Sequence, residues 1–104
     1  MNFLVYERRK GSDEPIEDLG ALVSGLTEWL GYLQQLEKKG TVVCHWGLHG
    51  HHGSVTVYDV ASGDELNEIL KKNPMDEKWV IREIYQVCNL AQELENVFKY
   101  MTGV

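Results

Sequence analysis

Residues 40–74 read GTVVCHWGLHGHHGSVTVYDVASGDELNEILKKNP and contain all four histidines and one of the two cysteines. Residues 41–48 and 54–60 have the β-branched and aromatic content that is typical of strands. Residues 49–53, HGHHG, lie between them and supply the glycines of a turn. The centre of the chain therefore predicts a β-hairpin with a histidine-rich turn.

Three helices are predicted around this hairpin. Ser62 followed by Glu65 is a capping-box signature, and it begins a short helix that ends before Pro74. A long amphipathic helix precedes the hairpin, starting near Pro15 and ending before Gly40. Its apolar residues recur at steps of three and four: Ile16, Leu19, Val23, Leu26, Leu30, Leu33 and Leu36. A third helix, over residues 89–101, closes the chain.

Two further strands, over residues 2–9 and 79–88, complete the order β-α-β-β-α-β. Right-handed crossovers fold this order into a ferredoxin-like α+β domain. The prediction is a four-stranded antiparallel sheet in the order 4-1-3-2, with both crossover helices on one face. The chain forms a single domain over residues 1–104, with a core over residues 1–88 and the C-terminal helix over residues 89–104.

The strands are apolar on both sides, which predicts that both faces of the sheet are covered. In the second strand, Val42, Cys44, Trp46 and Leu48 are expected on one side and Val43 on the other. The crossover helices cover only one face, so the other is expected to pack against the same face of a second subunit. We therefore predict a homodimer with stacked sheets, a dimeric α/β barrel, with the C-terminal helix docking across the interface.

Composition narrows the classes of function. Acidic residues outnumber basic ones by 16 to 10, for a formal net charge of −6. Because nucleic-acid binding depends on Lys and Arg neutralising phosphates, this balance argues against a nucleic-acid partner. The chain has no continuous run of about 20 apolar residues, as a membrane-spanning helix requires. At the N-terminus the apolar residues precede the basic ones, which is unlike a secretory signal and predicts a cytoplasmic protein.

The central segment resembles the muconolactone isomerase family of dimeric α/β-barrel proteins. The resemblance rests on Gly40-Thr41, Trp46, Gly50-His51, Val57 to Val60, Ser62, Leu66, Leu70 and Pro74, with a weaker match at Phe3 and Val5. It implies a ferredoxin-like sheet, dimers and sometimes larger rings. It also implies an intramolecular isomerase that acts on a small anionic lactone in a pocket lined by sheet residues. Related barrels include cofactor-free monooxygenases and members with no known activity.

Moving a double bond in a lactone requires a base that removes a proton beside a carbonyl and returns it at another carbon. His45, His51 and Glu83 are the candidate catalytic residues. For His45 the alternative is a core or interface histidine, and for His51 it is an exposed turn residue. Glu83 interrupts an apolar strand, and its alternative role is an ion pair with a nearby arginine such as Arg82.

Tyr6, Glu7 and Trp46 are the candidate substrate-binding residues. Tyr6 and Glu7 lie near the end of the first strand, where solvated edge positions are the alternative interpretation. Trp46 lies on the strand that leads into the hairpin, and its alternative role is an anchor in the core or the interface.

No metal or other cofactor is predicted. The four histidines and Cys44 suggest a metal cluster, but adjacent residues such as His51 and His52 point apart on an extended chain. A structural zinc site requires four convergent ligands. The favoured function is a cofactor-free isomerase of a small organic acid or lactone. A non-catalytic oligomeric or ligand-binding barrel and a cofactor-free monooxygenase remain alternatives.

Overall fold

One antiparallel sheet organises the computed structural model, which describes residues 1–11, 18–74 and 80–103. Its strands are β1 (Asn2–Arg9), β2 (Val42–Leu48), β3 (Gly53–Asp59) and β4 (Val80–Val87). The spatial order is β2-β3-β1-β4. This order confirms the predicted 4-1-3-2 sheet and the α+β fold class. The predicted strand start at Trp79 lies outside the described residues.

Three helices surround the sheet: α1 (Leu19–Lys38), α2 (Gly63–Leu70) and α3 (Leu90–Thr102). Asp18 caps α1, with Oδ1 accepting a hydrogen bond from the Ala21 N–H at 2.9 Å. The predicted start of this helix near Pro15 lies outside the described residues. At α2, the Ser62 hydroxyl accepts from the Glu65 N–H at 3.2 Å, as the capping-box signature predicts. None of the described helices is long and apolar enough to cross a membrane.

The core lies between the sheet and the first two helices. α1 and α2 each contribute three buried apolar side chains to it: Trp29, Leu33 and Leu36 from α1, and Leu66, Ile69 and Leu70 from α2. The sheet contributes Val5, Val42 and Tyr58, and Val60 follows β3. Because both crossover helices pack into this one cluster, a single sheet face supports the whole core.

A bulge in β2 decides which of its side chains enter the core. Val42 pairs with Tyr58 and Cys44 with Val57, so Val43 is the extra residue. Val42 is 1% exposed on the core face, whereas Val43 is 56% exposed. The predicted placement of Val42 beside Cys44 on one side is therefore wrong. The inserted residue reverses the alternation, which turns Cys44 to the opposite face.

We call that opposite face the bare face. Strand alternation and pairing place on it Leu4, Tyr6, Cys44, Trp46, Val55, Val57, Glu83 and Tyr85. Trp46 is 70% exposed and Tyr85 is 54% exposed. Among the described residues, no side chain of α3 is buried either. Both surfaces are available for a partner, as the predicted homodimer requires.

Candidate active site

A buried carboxylate, Glu7, lies on the core face of β1 with 7% of its surface exposed. Arg82 stands opposite Glu7 in the β1–β4 register. The Arg82 Nη2 and Nε atoms donate to Glu7 Oε2 at 3.1 and 3.3 Å. Asn73, just after α2, donates from Nδ2 to the same oxygen at 3.3 Å. Three donor groups from two residues therefore hold Oε2, and no hydrogen bond from the described residues reaches Oε1.

Two hydroxyls lie on the same sheet face, beside Glu7. Thr56 pairs with Val5 and Tyr58 with Phe3, so both side chains point into the layer below the helices. Tyr58 is completely buried, and the Thr56 side chain is near its hydroxyl. Burial raises the pKa of Tyr58, and the nearby Glu7 carboxylate raises it further. Tyr58 therefore stays neutral and retains a proton that it can donate.

A cavity of about 500 Å³ opens above Glu7. Leu22, Leu26 and Trp29 of α1 form an apolar wall. The opposite side is formed by the ends of all four strands and the hairpin: Arg8, Arg9, Gly47, Leu48, His49, His52, Gly53, Ser54 and Val80, with Asn73 beside them. The volume lies in the range of small-molecule sites, which are mostly apolar with a few polar groups. This cavity has that composition.

Close contact between the hairpin and β1 shapes one side of the cavity. A Cβ atom on Gly53 would lie 2.7 Å from the Glu7 carbonyl oxygen, so only glycine fits there. His52, next to it, has a φ of 50°, in the left-handed region that non-glycine residues rarely adopt. The His52 carbonyl accepts a hydrogen bond from the Arg9 N–H at 3.0 Å. The histidine turn is thereby fixed against the end of β1.

Of the six residues predicted from the sequence, Glu7 lies in the cavity. His45 lies on the core face, because of the β2 bulge, and outside the cavity lining; its Nε2 is 3.4 Å from Glu37 Oε2 at the end of α1. His51 lies at the exposed hairpin tip, where its N–H donates to the Leu48 carbonyl at 3.1 Å. The structure therefore does not bring His45 and His51 together with Glu7.

The other three predicted residues lie on the bare face. Glu83 pairs with Tyr6 in the β1–β4 register, and Glu83 Oε2 accepts a hydrogen bond from the Tyr85 hydroxyl at 3.1 Å. That carboxylate raises the pKa of Tyr85. Trp46 lies on the same face, two strands away from β1. A sheet thickness separates this group from the cavity, and the functional roles of these residues stay predictions.

Sequence reasoning did not find the partners of Glu7. The sequence predicts Arg82 as a partner of the neighbouring Glu83, although alternation along β4 places Arg82 on the side of Val80 and Ile84. A cation on a core-facing position requires a buried acceptor, and this rule could have directed attention to Glu7. Asn73 and the cavity histidines His49 and His52 carry no comparable local signal.

Metal ligation has no support among the residues that the structure describes, since no group of three or more His, Cys, Asp or Glu side chains is placed to hold an ion. Both cysteines, Cys44 and Cys88, are free thiols.

Known proteins share this architecture. A family model described as muconolactone delta-isomerase matches residues 21–93. The crystal structure of a muconolactone isomerase superimposes with a TM-score of 0.71 at 23% identity, covering 86% of this chain and 90% of that one. A 5-chloro-2-hydroxyhydroquinone dehydrochlorinase from Burkholderia phenoliruptrix AC1100, in complex with 2,5-dihydroxybenzoquinone, gives 0.69 at 16% identity, covering 88% and 98%. No protein of curated function matches the sequence.

The fold and the cavity define a small α+β protein in which two helices cover one face of a four-stranded antiparallel sheet. Within this class, the chain belongs to the muconolactone delta-isomerase family, because the family model covers well over half of its length. The resemblance found in the sequence is thereby confirmed.

Proposed function

We propose that this protein is a cofactor-free isomerase that moves a proton between two carbons of a small organic acid or lactone. The observation that carries the proposal is Glu7, a buried carboxylate at the base of a cavity that a small molecule can fill. Membership of the muconolactone delta-isomerase family and the similarity to an isomerase structure support the reaction class.

The geometry suits Glu7 to the role of base. Arg82 and Asn73 hold Oε2, so the carboxylate has a fixed orientation. In the proposed step, a C–H bond beside the substrate carbonyl breaks and its proton moves to Oε1. The electron pair delocalises into a dienolate, and the same proton then returns to a different carbon. The reaction needs no oxidant or second substrate.

The charged groups at the cavity suit an anionic substrate better than the net charge of the whole chain does. Although the chain carries a formal charge of −6, the cavity lining contains the cation Arg9, which lies on the same face of β1 as Glu7. His49 and His52 add two imidazoles at the hairpin side. These groups provide donors for a substrate carboxylate and for the developing dienolate oxygen, while Trp29 and the leucines of α1 contact its apolar part.

The test is an ultraviolet assay of muconolactone isomerisation on EDTA-treated protein. We expect wild-type turnover to survive EDTA and Glu7→Gln to lose about 10²- to 10⁴-fold in kcat, the usual contribution of a general base. Glu83→Gln is the matched control, because it makes the same change on the bare face. His51→Ala tests the remaining hairpin prediction. Equal activity in wild-type and Glu7→Gln protein would contradict the proposed role of Glu7.

Absence of turnover would favour the alternative, a ligand-binding barrel without catalysis. The probe for that case is 2,5-dihydroxybenzoquinone, the compound bound in the similar dehydrochlorinase structure. Because Trp29 lines the cavity, a bound ring is expected to quench its fluorescence. Trp29→Phe serves as the control, since it removes the reporter and keeps an apolar wall.

We also propose that two copies associate through the bare face. Its exposed aromatic residues, Trp46 and Tyr85, form an apolar surface that water covers in a single subunit. Trp46→Glu is expected to weaken the dimer, and sedimentation velocity measures the change. Gln35→Glu, at an exposed position of α1 on the other side of the sheet, introduces the same charge and is the control. The cytoplasmic location expected from the sequence stays a prediction.

A further inference from the structure

The apolar stripe of α1 packs into the core only in its second half. The stripe follows steps of three and four residues through Leu22, Leu26, Trp29, Leu33 and Leu36. Its last three members are buried in the core, whereas Leu26 is 49% exposed. Leu22 and Leu26 both belong to the lining of the cavity at Glu7. The first half of α1 therefore presents apolar side chains to the cavity and not to the sheet.

Gly47 provides open space on the sheet side of the same cavity. Gly47 pairs with Ser54 in β3, and Ser54 pairs with Glu7 in β1, so the three residues lie in one row across the sheet. All three line the cavity. A Cβ atom on Gly47 would meet no heavy atom of the described residues within 4 Å, its chain neighbours aside. Because neighbouring strands lie about 4.8 Å apart, this row forms a trough that extends about 10 Å from Glu7 to Gly47.

Neither the backbone nor the packing requires glycine at residue 47. The described glycines with a positive φ lie at residues 11, 40, 50 and 103, and Gly47 is not among them. Close contact with a carbonyl oxygen requires glycine at Gly53, but Gly47 has no such contact. Glycine weakens the interior of a strand, and it often marks a place where a ligand approaches closely. The feature that Gly47 contributes is therefore the space above it.

The two ends of the trough differ in chemistry. At the β1 end, Glu7 accepts hydrogen bonds from Arg82 and from Asn73, which follows α2. At the β2 end, Gly47 has no polar side chain, and α1 is the helix that contacts β2. The cavity leucines of α1 therefore lie above the β2 end. A ligand that spans the trough meets a polar end at Glu7 and an apolar end at Gly47.

The cavity is larger than a single small ring requires. A cavity of about 150 Å³ holds a benzene ring, whereas this cavity has a volume of about 500 Å³. We propose that the space between Gly47 and the cavity leucines of α1 is an apolar subsite, which selects small acids or lactones that carry a ring-sized apolar substituent. The reacting carbon lies at Glu7, and the substituent lies over Ser54 and Gly47. The choice of substrate class rests on the proposed function, but the subsite binds the substituent whether or not the reaction at Glu7 occurs.

The first experiment measures by isothermal titration calorimetry how tightly the protein binds two probes, 2,5-dihydroxybenzoquinone and its 3-phenyl derivative. The wild type is expected to bind the phenyl probe at least about tenfold more tightly, because the phenyl ring leaves water for the subsite. Gly47→Val fills the subsite and is expected to reduce this ratio of dissociation constants below about threefold. Gly31→Val is the matched control. Gly31 also has open space at its Cβ position but lies outside the cavity lining, so this variant should keep the wild-type ratio.

Leu26→Asn tests the same subsite from the side of α1. Its polar side chain is expected to lower the ratio as well, and Leu26 lies outside the core, so the variant should fold. A cooperative urea transition checks the folding of each variant. Equal binding of the two probes by the wild type, or an unchanged ratio in Gly47→Val, would overturn the subsite. A wild type that prefers the phenyl probe but does not turn over muconolactone would contradict the proposed reaction and still support the subsite.

Discussion

The ion pair between Glu7 and Arg82 provides a quantitative test of the site. The Glu7 side chain is 9% exposed and that of Arg82 is 21% exposed, and two N–H groups reach one oxygen at 3.1 and 3.3 Å. Exposed ion pairs contribute about 0.2–1 kcal/mol. Removing one partner of a fully buried pair costs about 3–5 kcal/mol. Because water still reaches part of Arg82, the coupling is expected between these limits, at about 2 kcal/mol.

A double-mutant cycle with Glu7→Gln, Arg82→Gln and the double variant isolates this coupling. The free energy of unfolding is measured in urea at one fixed protein concentration, because dimerisation makes apparent stability depend on concentration. The pair of His45 and Glu37 serves as the reference. It is longer, at 3.4 Å, and its side chains are 24% and 49% exposed, so its coupling should stay below about 0.5 kcal/mol. An equally small coupling for Glu7 and Arg82 would refute the arrangement at the cavity floor.

Three further predictions concern Tyr58, Leu66 and Gly53. Burial raises the pKa of Tyr58, so the folded state binds its phenolic proton more tightly than the unfolded state. The free energy of unfolding should therefore fall by up to about 1.4 kcal/mol per pH unit above pH 10. Urea unfolding of the wild type and of Tyr58→Phe at pH 9 and 11 should show a smaller fall for the variant. Leu66→Ala removes a side chain that is 2% exposed and should lower the free energy of unfolding by about 2–5 kcal/mol, whereas a loss below 1 kcal/mol would contradict its place in the core. Gly53→Ala should cost about 1–3 kcal/mol, because its Cβ would lie 2.7 Å from the Glu7 carbonyl. Gly47→Ala, with nothing within 4 Å, is the matched control and should change stability by less than 1 kcal/mol in the same denaturation experiment.

Elements that depend on neighbouring residues could be predicted from the sequence alone. Ser62 and Glu65 lie within one helical turn of each other, so their hydrogen bond forms wherever α2 is placed. The histidine turn was predicted correctly for the same reason, because Gly50 takes the positive φ, 76°, that a tight turn requires of its own backbone. The strand order followed from element order and crossover handedness, both of which the linear sequence contains.

The candidate site depended instead on register between distant strands. Alternation places Glu7 and Arg82 each on one side of its own strand, but it does not say which side faces the helices or which residues stand opposite. Pairing of β1 with β4 places the two opposite each other although 75 residues separate them. The bulge at Val43 similarly reverses the face of every later residue in β2, including His45 and Trp46. The sequence by itself therefore determined the elements and their order, whereas only the tertiary structure placed Glu7 opposite Arg82 in the lining of the cavity, because register is a property of paired strands and not of either strand alone.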